Sequence, residues 1–143
     1  MSDELPGLGY ISDDKCMTPF IQEFIRYLTK DEIKGSQCKT CGKKYFPPRE
    51  YCQWLSSEGM EWFDVGRNGK LLTFSFLDEF GMPPASMVNR VPYVVAVAEL
   101  EEGLNVLCHL TGIADLPQVG MPVKLSIQTL DNGERITYRL IPA

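Results

Sequence analysis

The chain has 143 residues, a length that suits one ordinary domain or two very small ones. Its formal net charge of −5 disfavours binding to nucleic acid by general phosphate attraction, and a single histidine leaves few candidates for acid–base or nucleophilic catalysis. The sequence has no apolar run of about 18 residues and begins with an acidic segment, so it predicts neither a transmembrane helix nor a secretory signal.

An amphipathic helix is predicted near the N-terminus, after an extended polar arm over residues 1 to about 16. Thr18 is a typical helix cap, and Pro19 suits the first helical position. Gly35 is expected to end the segment, so residues 1–34 are assigned to the arm and the helix. The apolar face of the helix consists of Ile21, Phe24, Ile25 and Leu28. This face packs on its own domain or, alternatively, docks in part on a partner protein.

Residues 35–58 have the pattern of a rubredoxin-like zinc ribbon. Cys38 and Cys41 are separated by two residues and followed by Gly42, a spacing with which a tight turn grips one metal ion. Cys52 stands where a second such turn is expected, but Leu55 occupies the position of its second cysteine. The chain has five cysteines, and three of them have metal-like spacing, which indicates reduced thiols in the cytoplasm and not disulfides.

The connections around this ribbon are also predicted from the sequence. A short strand over residues 43–46 should leave the first turn, and the prolines of residues 47–49 should form a stiff, extended link to Cys52. Residues 58–69 then bridge to the second unit, with Trp62 and Phe63 as aromatic anchors.

The remaining chain, residues 59–143, predicts a barrel of short strands. The run from Tyr93 to Leu100 is almost entirely apolar, so it should form a central strand that is covered on both faces. Turns are expected at residues 101–103, 112–120 and 131–133, of which the last, Asp-Asn-Gly, is a strong hairpin signal. Five strands in about seventy residues favour a five-stranded OB-fold barrel, so the fold class is mainly β with an N-terminal helix. The other strands have apolar registers at Leu72, Phe74 and Phe76; at Val106, Cys108 and Leu110; at Val123, Leu125 and Ile127; and at Ile136, Tyr138 and Leu140.

The combination of these features resembles one family. The chain contains a leading helix, a Cys-Lys-Thr-Cys-Gly motif, an FPPR segment at residues 46–49, then PYVVAVAELEEG and VGMPVKL. This order is similar to the zinc-ribbon/OB-fold family known as domain of unknown function thirty-five, over residues 20–141. The resemblance implies a small partner subunit of a thiolase-superfamily enzyme. Such a subunit completes the acyl-CoA site of its partner or bridges two such enzymes, with no catalysis by this chain alone.

The resemblance also implies a metal site, with one departure. The family pattern has a fourth cysteine where this chain has Leu55, so only Cys38, Cys41 and Cys52 carry over. Three thiolates hold a structural zinc ion if another group completes the tetrahedron; the candidates are water, Cys16, Glu50, Glu58 and His109. Alternatively, the site is vestigial and apolar residues such as Trp54 and Leu55 hold the ribbon. The CoA thioester would be bound through the partner, and no residue is assigned to contact it.

Enzymatic functions for the chain itself fit its residues less well. Three ligands with an open position are typical of catalytic zinc, but no residue beside the cysteine turns marks a general base. Cys108 and His109 are adjacent on one strand, so they point to opposite faces and do not form a nucleophile–base pair.

Two binding functions and two surfaces remain open. OB-folds and zinc ribbons commonly bind single-stranded nucleic acid, and a stand-alone acyl-CoA-binding protein is a further class. The residue 80–90 loop, rich in Met and Pro, folds back on the barrel or offers an adaptable contact surface. The main basic cluster is a solvated face or a contact for CoA phosphates or an acidic partner surface; it consists of Lys39, Lys43, Lys44 and Arg49.

Overall fold

The computed structural model describes residues 18–52, 59–78, 80, 92–130 and 135–143. The predicted arm, Cys16, Trp54, Leu55 and Glu58, most of the residue 80–90 loop and the turn at residues 131–133 therefore lie outside the described residues. Helix α1 spans Pro19–Thr29, and the strands are β1 (Lys34–Cys38), β2 (Lys44–Tyr45), β3 (Met60–Asp64), β4 (Asn68–Leu77), β5 (Tyr93–Leu100), β6 (Asn105–Leu110), β7 (Pro122–Leu130) and β8 (Arg135–Pro142).

The strands form two sheets. One is a three-stranded antiparallel sheet in the order β2-β1-β3, and the other is a closed barrel in the order β4-β5-β6-β8-β7. Pairing of β4 with β7 closes the barrel, and β6 pairs with β8 in parallel. The predicted class, mainly β with an N-terminal helix, a ribbon and a five-stranded barrel, is confirmed. Within the described ranges, no helix is long and apolar enough to cross a membrane.

Helix α1 begins as the sequence predicts but ends earlier. The hydroxyl of Thr18 accepts a hydrogen bond from the backbone N–H of Ile21 at 3.4 Å, which caps the first turn. The helix ends at Thr29, so the prediction that Gly35 ends it is wrong: Gly35 lies within β1. A Cβ atom there would lie 2.6 Å from the carbonyl oxygen of Tyr45 and 2.7 Å from the ring of Phe63. The glycine therefore allows the three strands to pack closely.

The buried face of α1 joins the ribbon to the barrel. Phe24 contacts Phe46 and Tyr138 edge to face, with ring centroids 6.3 and 6.4 Å apart. Phe46 and Tyr138 also contact each other, at 5.1 Å. Outside this cluster, the ring of Phe20 stacks on Trp62 at 4.6 Å. The apolar face therefore packs within the chain, and Phe20 adds a contact with Trp62, which the sequence assigns to the segment that bridges to the barrel.

The chain crosses from the ribbon sheet to the barrel at residues 65–67. Strand β3 pairs with β1 along all five of its residues, although it lies beyond the predicted boundary at residue 59. The pairing places Trp62 and Phe63 against the core that the ribbon, helix and barrel share. The N–H of Val65 donates to Ile33, and the carbonyl of Arg67 accepts from Leu125 in the barrel. The crossing segment is thus tied to both sheets.

The barrel core follows the predicted registers in most strands. Strand β5 pairs with β4 on one side and β6 on the other, and alternate residues from Val94 to Leu100 are buried. The exception is β4, where the register shifts between Leu71 and Thr73. This bulge places Leu71 in the core at 1% exposure and leaves Phe76 42% exposed at the end of the strand. The predicted β4 register of Leu72, Phe74 and Phe76 is therefore wrong at both ends.

Candidate metal site

Three cysteines meet at one end of the ribbon. The sulfur atoms of Cys38, Cys41 and Cys52 all lie within 4.8 Å of one another. Cys38 ends β1 and Cys52 follows the proline-containing segment, and both are only 1% exposed, whereas Cys41 is exposed. The structure therefore brings together all three residues that the sequence singles out as metal ligands.

The backbone between the first two cysteines forms a tight turn around sulfur. The N–H of Gly42 donates to the carbonyl of Cys38 at 2.9 Å, and the N–H of Cys41 points to the Cys38 sulfur at 3.5 Å. Gly42 has a φ of 75°, a conformation that glycine adopts without strain. The N–H of Cys38 donates to Lys43 at 2.9 Å and closes the loop. Such a turn directs amide hydrogens toward thiolates, as zinc-binding loops require.

The position of Cys52 depends on a contact that sequence reasoning missed. The buried hydroxyl of Ser36 donates to the carbonyl of Arg49 at 2.9 Å and accepts from its N–H at 2.8 Å. This pair of bonds ties the segment before Cys52 to strand β1, two residues from Cys38. No local sequence signal marks Ser36, because its partner is thirteen positions away.

The donor set fits a zinc ion. Zinc–sulfur bonds of about 2.3 Å in a tetrahedron place sulfur atoms about 3.8 Å apart. The three observed sulfur atoms, all within 4.8 Å of one another, would therefore need to move only slightly closer together. The backbone N–H of Lys43 lowers the pKa of Cys41, but Cys38, desolvation and the charge of Cys52 outweigh it and raise that pKa. A divalent cation would supply the positive charge that three neighbouring thiolates lack, and soft thiolate donors favour zinc.

No fourth ligand belongs to this group among the residues that the structure describes. Glu50 is exposed two residues before Cys52, and His109 is buried on β6; neither is a member. The other predicted candidates, Cys16 and Glu58, lie outside the described residues.

Cys108 and His109, which are adjacent on β6, do not form a catalytic pair. Cys108 belongs to the barrel core, and burial raises the pKa of its thiol to about 12, against the opposing effect of a hydrogen bond with the Leu140 backbone. His109 is 2% exposed and packs edge to face against Tyr93, with ring centroids 5.5 Å apart. Strand alternation directs the two side chains to opposite faces of β6, so no proton transfer between them is possible.

Lowering the pH from about 7.5 to about 5.5 is expected to destabilise the protein through His109. Burial lowers the pKa of His109, although the Val94 backbone acts in the opposite direction. The unfolded chain, with a histidine pKa of about 6.5, therefore takes up the proton first. The stability present above that pH is lost as the pH falls toward the folded-state pKa, by no more than about 1.4 kcal/mol per pH unit.

Urea unfolding at several pH values measures this effect. Because His109 is the only histidine in the chain, a His109→Gln variant should show a clearly shallower pH dependence between about pH 5.5 and 7.5. An unchanged slope in this variant would assign the effect to other groups.

Comparison with known proteins identifies the family. The family model of the ChsH2 rubredoxin-like zinc ribbon domain matches residues 28–53, and that of the ChsH2 C-terminal OB-fold domain matches residues 62–128. A DUF35 domain-containing scaffold protein of Methanocaldococcus jannaschii is 36% identical over 101 residues, which cover 70% of this chain and 67% of that protein. The chain belongs to the DUF35 family.

Two further relatives extend the comparison for this DUF35 chain. Benzoylsuccinyl-CoA thiolase subunit BbsA of Thauera aromatica is 30% identical over 107 residues, which cover 73% of this chain and 69% of BbsA. The solved Ltp2-ChsH2(DUF35) aldolase has a chain that matches with a TM-score of 0.72 and 24% identity, over 89% of this chain and 97% of that one. This last likeness establishes the shared fold. The ribbon match contains all three clustered cysteines, and the OB-fold match begins within β3.

Proposed function

We propose that this DUF35 chain is a non-catalytic accessory subunit of a thiolase-like acyl-CoA enzyme. The observation that carries this proposal is its similarity to a thiolase subunit, BbsA, over 73% of its length. In this role the chain completes or stabilises the acyl-CoA site of a thiolase-superfamily partner. The CoA thioester is bound through that partner, and the complex works in the cytoplasm, where the clustered thiols stay reduced.

The chemistry of the described residues supports a non-catalytic role. Cys108 stays protonated inside the barrel, and His109 is a buried neutral side chain on the other face of the strand. The other three described cysteines, Cys38, Cys41 and Cys52, form the cluster in the ribbon, hereafter called the ribbon group. The described part of the chain therefore offers no activated thiol beside a base, and the partner would supply both groups.

The proposal includes a structural zinc ion at the ribbon. Cys38, Cys41 and Cys52 would hold it. When bound, the ion supplies the charge that stabilises the three thiolates and cross-links β1 to the segment after Arg49. The chain's own contribution is to present the sulfurs together, through the Gly42 turn and the Ser36 hydrogen bonds.

Affinity purification of the tagged full chain from its native host, followed by mass spectrometry, tests the function. We expect a thiolase-superfamily protein in near-equal amount, and acyl-CoA turnover by that protein should rise when the chain is added back. An untagged culture processed in parallel controls for non-specific capture. Recovery of the chain alone or with nucleic acid would contradict the proposal. Tight binding of a CoA thioester by the isolated chain would instead favour a stand-alone acyl-CoA-binding protein.

A further inference from the structure

The charges of this acidic chain are distributed unevenly. Residues 39–49 contain four cationic side chains and no acidic one, so this segment has a formal charge of +4 while the rest of the chain carries −9. A patch of one sign on a molecule of the other sign is typical of a surface that recognises a charged partner.

Packing divides this cluster into two parts. The ammonium group of Lys44 lies 2.7 Å from a carboxylate oxygen of Glu102, so it joins the ribbon to the barrel. Lys39 and Arg49 are both exposed, and neither has an ion pair with another residue in the described parts of the chain. The outward charge of the cluster is therefore carried by residues other than Lys44.

Two of these cations are held at one aromatic ring. The ammonium group of Lys43 lies 5.5 Å from the ring centroid of Tyr45, and the guanidinium carbon of Arg49 lies 5.0 Å from it. The hydrogen bonds of Ser36 to both backbone groups of Arg49 fix the base of that side chain. Ordering these long side chains before binding reduces the entropy that a partner contact would otherwise cost.

A cleft lies beside Arg49. It has a volume of about 450 Å³ and lies between the start of α1 and the segment before Cys52. It is lined by Thr18, Ile21, Pro48, Arg49, Glu50, Tyr51 and Cys52, so one acidic side chain accompanies the arginine. Tyr51 is 59% exposed at its edge. Tyrosine and arginine beside a concave apolar surface are the residue types that contribute most to protein–protein binding.

We propose that this ribbon surface, formed by Lys39, Lys43, Tyr45, Arg49 and Tyr51, docks an acidic segment of the partner subunit. The inference rests on the proposed function and specifies where the partner binds. Carboxylates of the partner contact the cations at Tyr45, and an adjacent apolar side chain enters the cleft. Three of the four cations, Lys39, Lys43 and Arg49, are not the one that pairs with Glu102, and their charge on an otherwise acidic chain favours a carboxylate-rich occupant.

A charge-reversal experiment tests this assignment in the intact complex. In one double variant, Lys43→Glu is combined with Arg49→Glu; in the matched control, Lys70→Glu is combined with Lys124→Glu, which alters two exposed cations on the barrel. We expect the first variant to bind the purified partner at least about tenfold more weakly and the control to bind within about twofold of the native chain. Raising NaCl from about 50 to about 500 mM should weaken the native and control complexes, because salt screens the charges through which they bind. The first variant has lost these attractive contacts, so salt should not weaken its complex.

Zinc content separates docking from a structural role of the same cations. If Lys43 and Arg49 merely balance the thiolate charge, the variant that combines Lys43→Glu with Arg49→Glu (the ribbon variant) will lose zinc while the control keeps it. That result would overturn the proposal. Equal zinc content with weakened partner binding supports docking. A partner that binds the ribbon variant normally would also overturn the proposal, while leaving the accessory function intact.

A second measurement does not depend on recovering the partner. A ten-residue glutamate-rich peptide, titrated into the isotope-labelled chain, should shift the NMR signals of Lys43, Tyr45 and Arg49, and these shifts should vanish at high salt. The absence of these shifts, or equal shifts at Lys70 and Lys124, would overturn the proposal. Free coenzyme A that displaces the peptide equally well would also overturn it, because the surface would then be a phosphate site. If Asp13→Asn and Asp14→Asn together make peptide binding at least tenfold tighter, the occupant is the chain's own acidic segment, and the assignment to the partner is overturned.

Discussion

Replacing Cys52 by serine is expected to abolish stoichiometric zinc binding and to cause one of the largest losses of stability available to a single substitution. Cys52 is buried and supplies one of the three clustered thiols, so its loss leaves only the buried thiol of Cys38 and the exposed thiol of Cys41. We expect zinc affinity to fall by more than about 100-fold. The free energy of unfolding should fall by about 4 kcal/mol or more, as is typical of losing a structural metal. Elemental analysis and urea unfolding measure the two effects.

The matched control for this variant is Cys108→Ala. Cys108 is also fully buried, but it lies in the barrel core and not in the ribbon group, so this change should leave the zinc content unaltered. If the native chain, purified with zinc present, contains none, the site is vestigial and the proposed structural metal is wrong. A Cys52→Ser chain that retains one equivalent of zinc would place the ligands elsewhere.

Replacing Phe24 by alanine is expected to cost about 3–5 kcal/mol in the free energy of unfolding. The side chain is fully buried and contacts Phe46 at the end of the ribbon and Tyr138 in the barrel. Its removal leaves a cavity where the helix, ribbon and barrel meet, and a rigid interior relaxes only partly around such a space. The change in urea midpoint measures the loss, provided that the denaturant slope stays constant.

Phe80→Ala provides the same chemical change at a surface site. Phe80 is 83% exposed, so we expect this variant to stay within about 0.5 kcal/mol of the native chain. Comparable losses in the two variants would show that the three-ring contact does not couple the helix to the barrel.

Local patterns in the sequence determined much of this protein. The helix start follows from Thr18 and Pro19, whose effects act within one turn. The inward-facing residues of β6 and β8 follow from the two-residue period of a strand. The turn around Cys38 and Cys41 follows from their spacing and from Gly42. In each case the residues that decide the structure are close neighbours in the chain.

Contacts between distant residues decided the rest, and no local pattern encodes them. Gly35 lies in a strand because β2 and β3 approach too closely for a Cβ atom, and Leu71 enters the core because a bulge shifts the register of β4. Strand pairing carries β3 into the ribbon sheet. Cys52 reaches the other two cysteines because Ser36 binds the backbone of Arg49. The sequence by itself therefore determined the elements and the metal-binding residue types. Only the tertiary structure decided how they meet, because strand pairing and side-chain packing depend on contacts between residues that are far apart in the sequence.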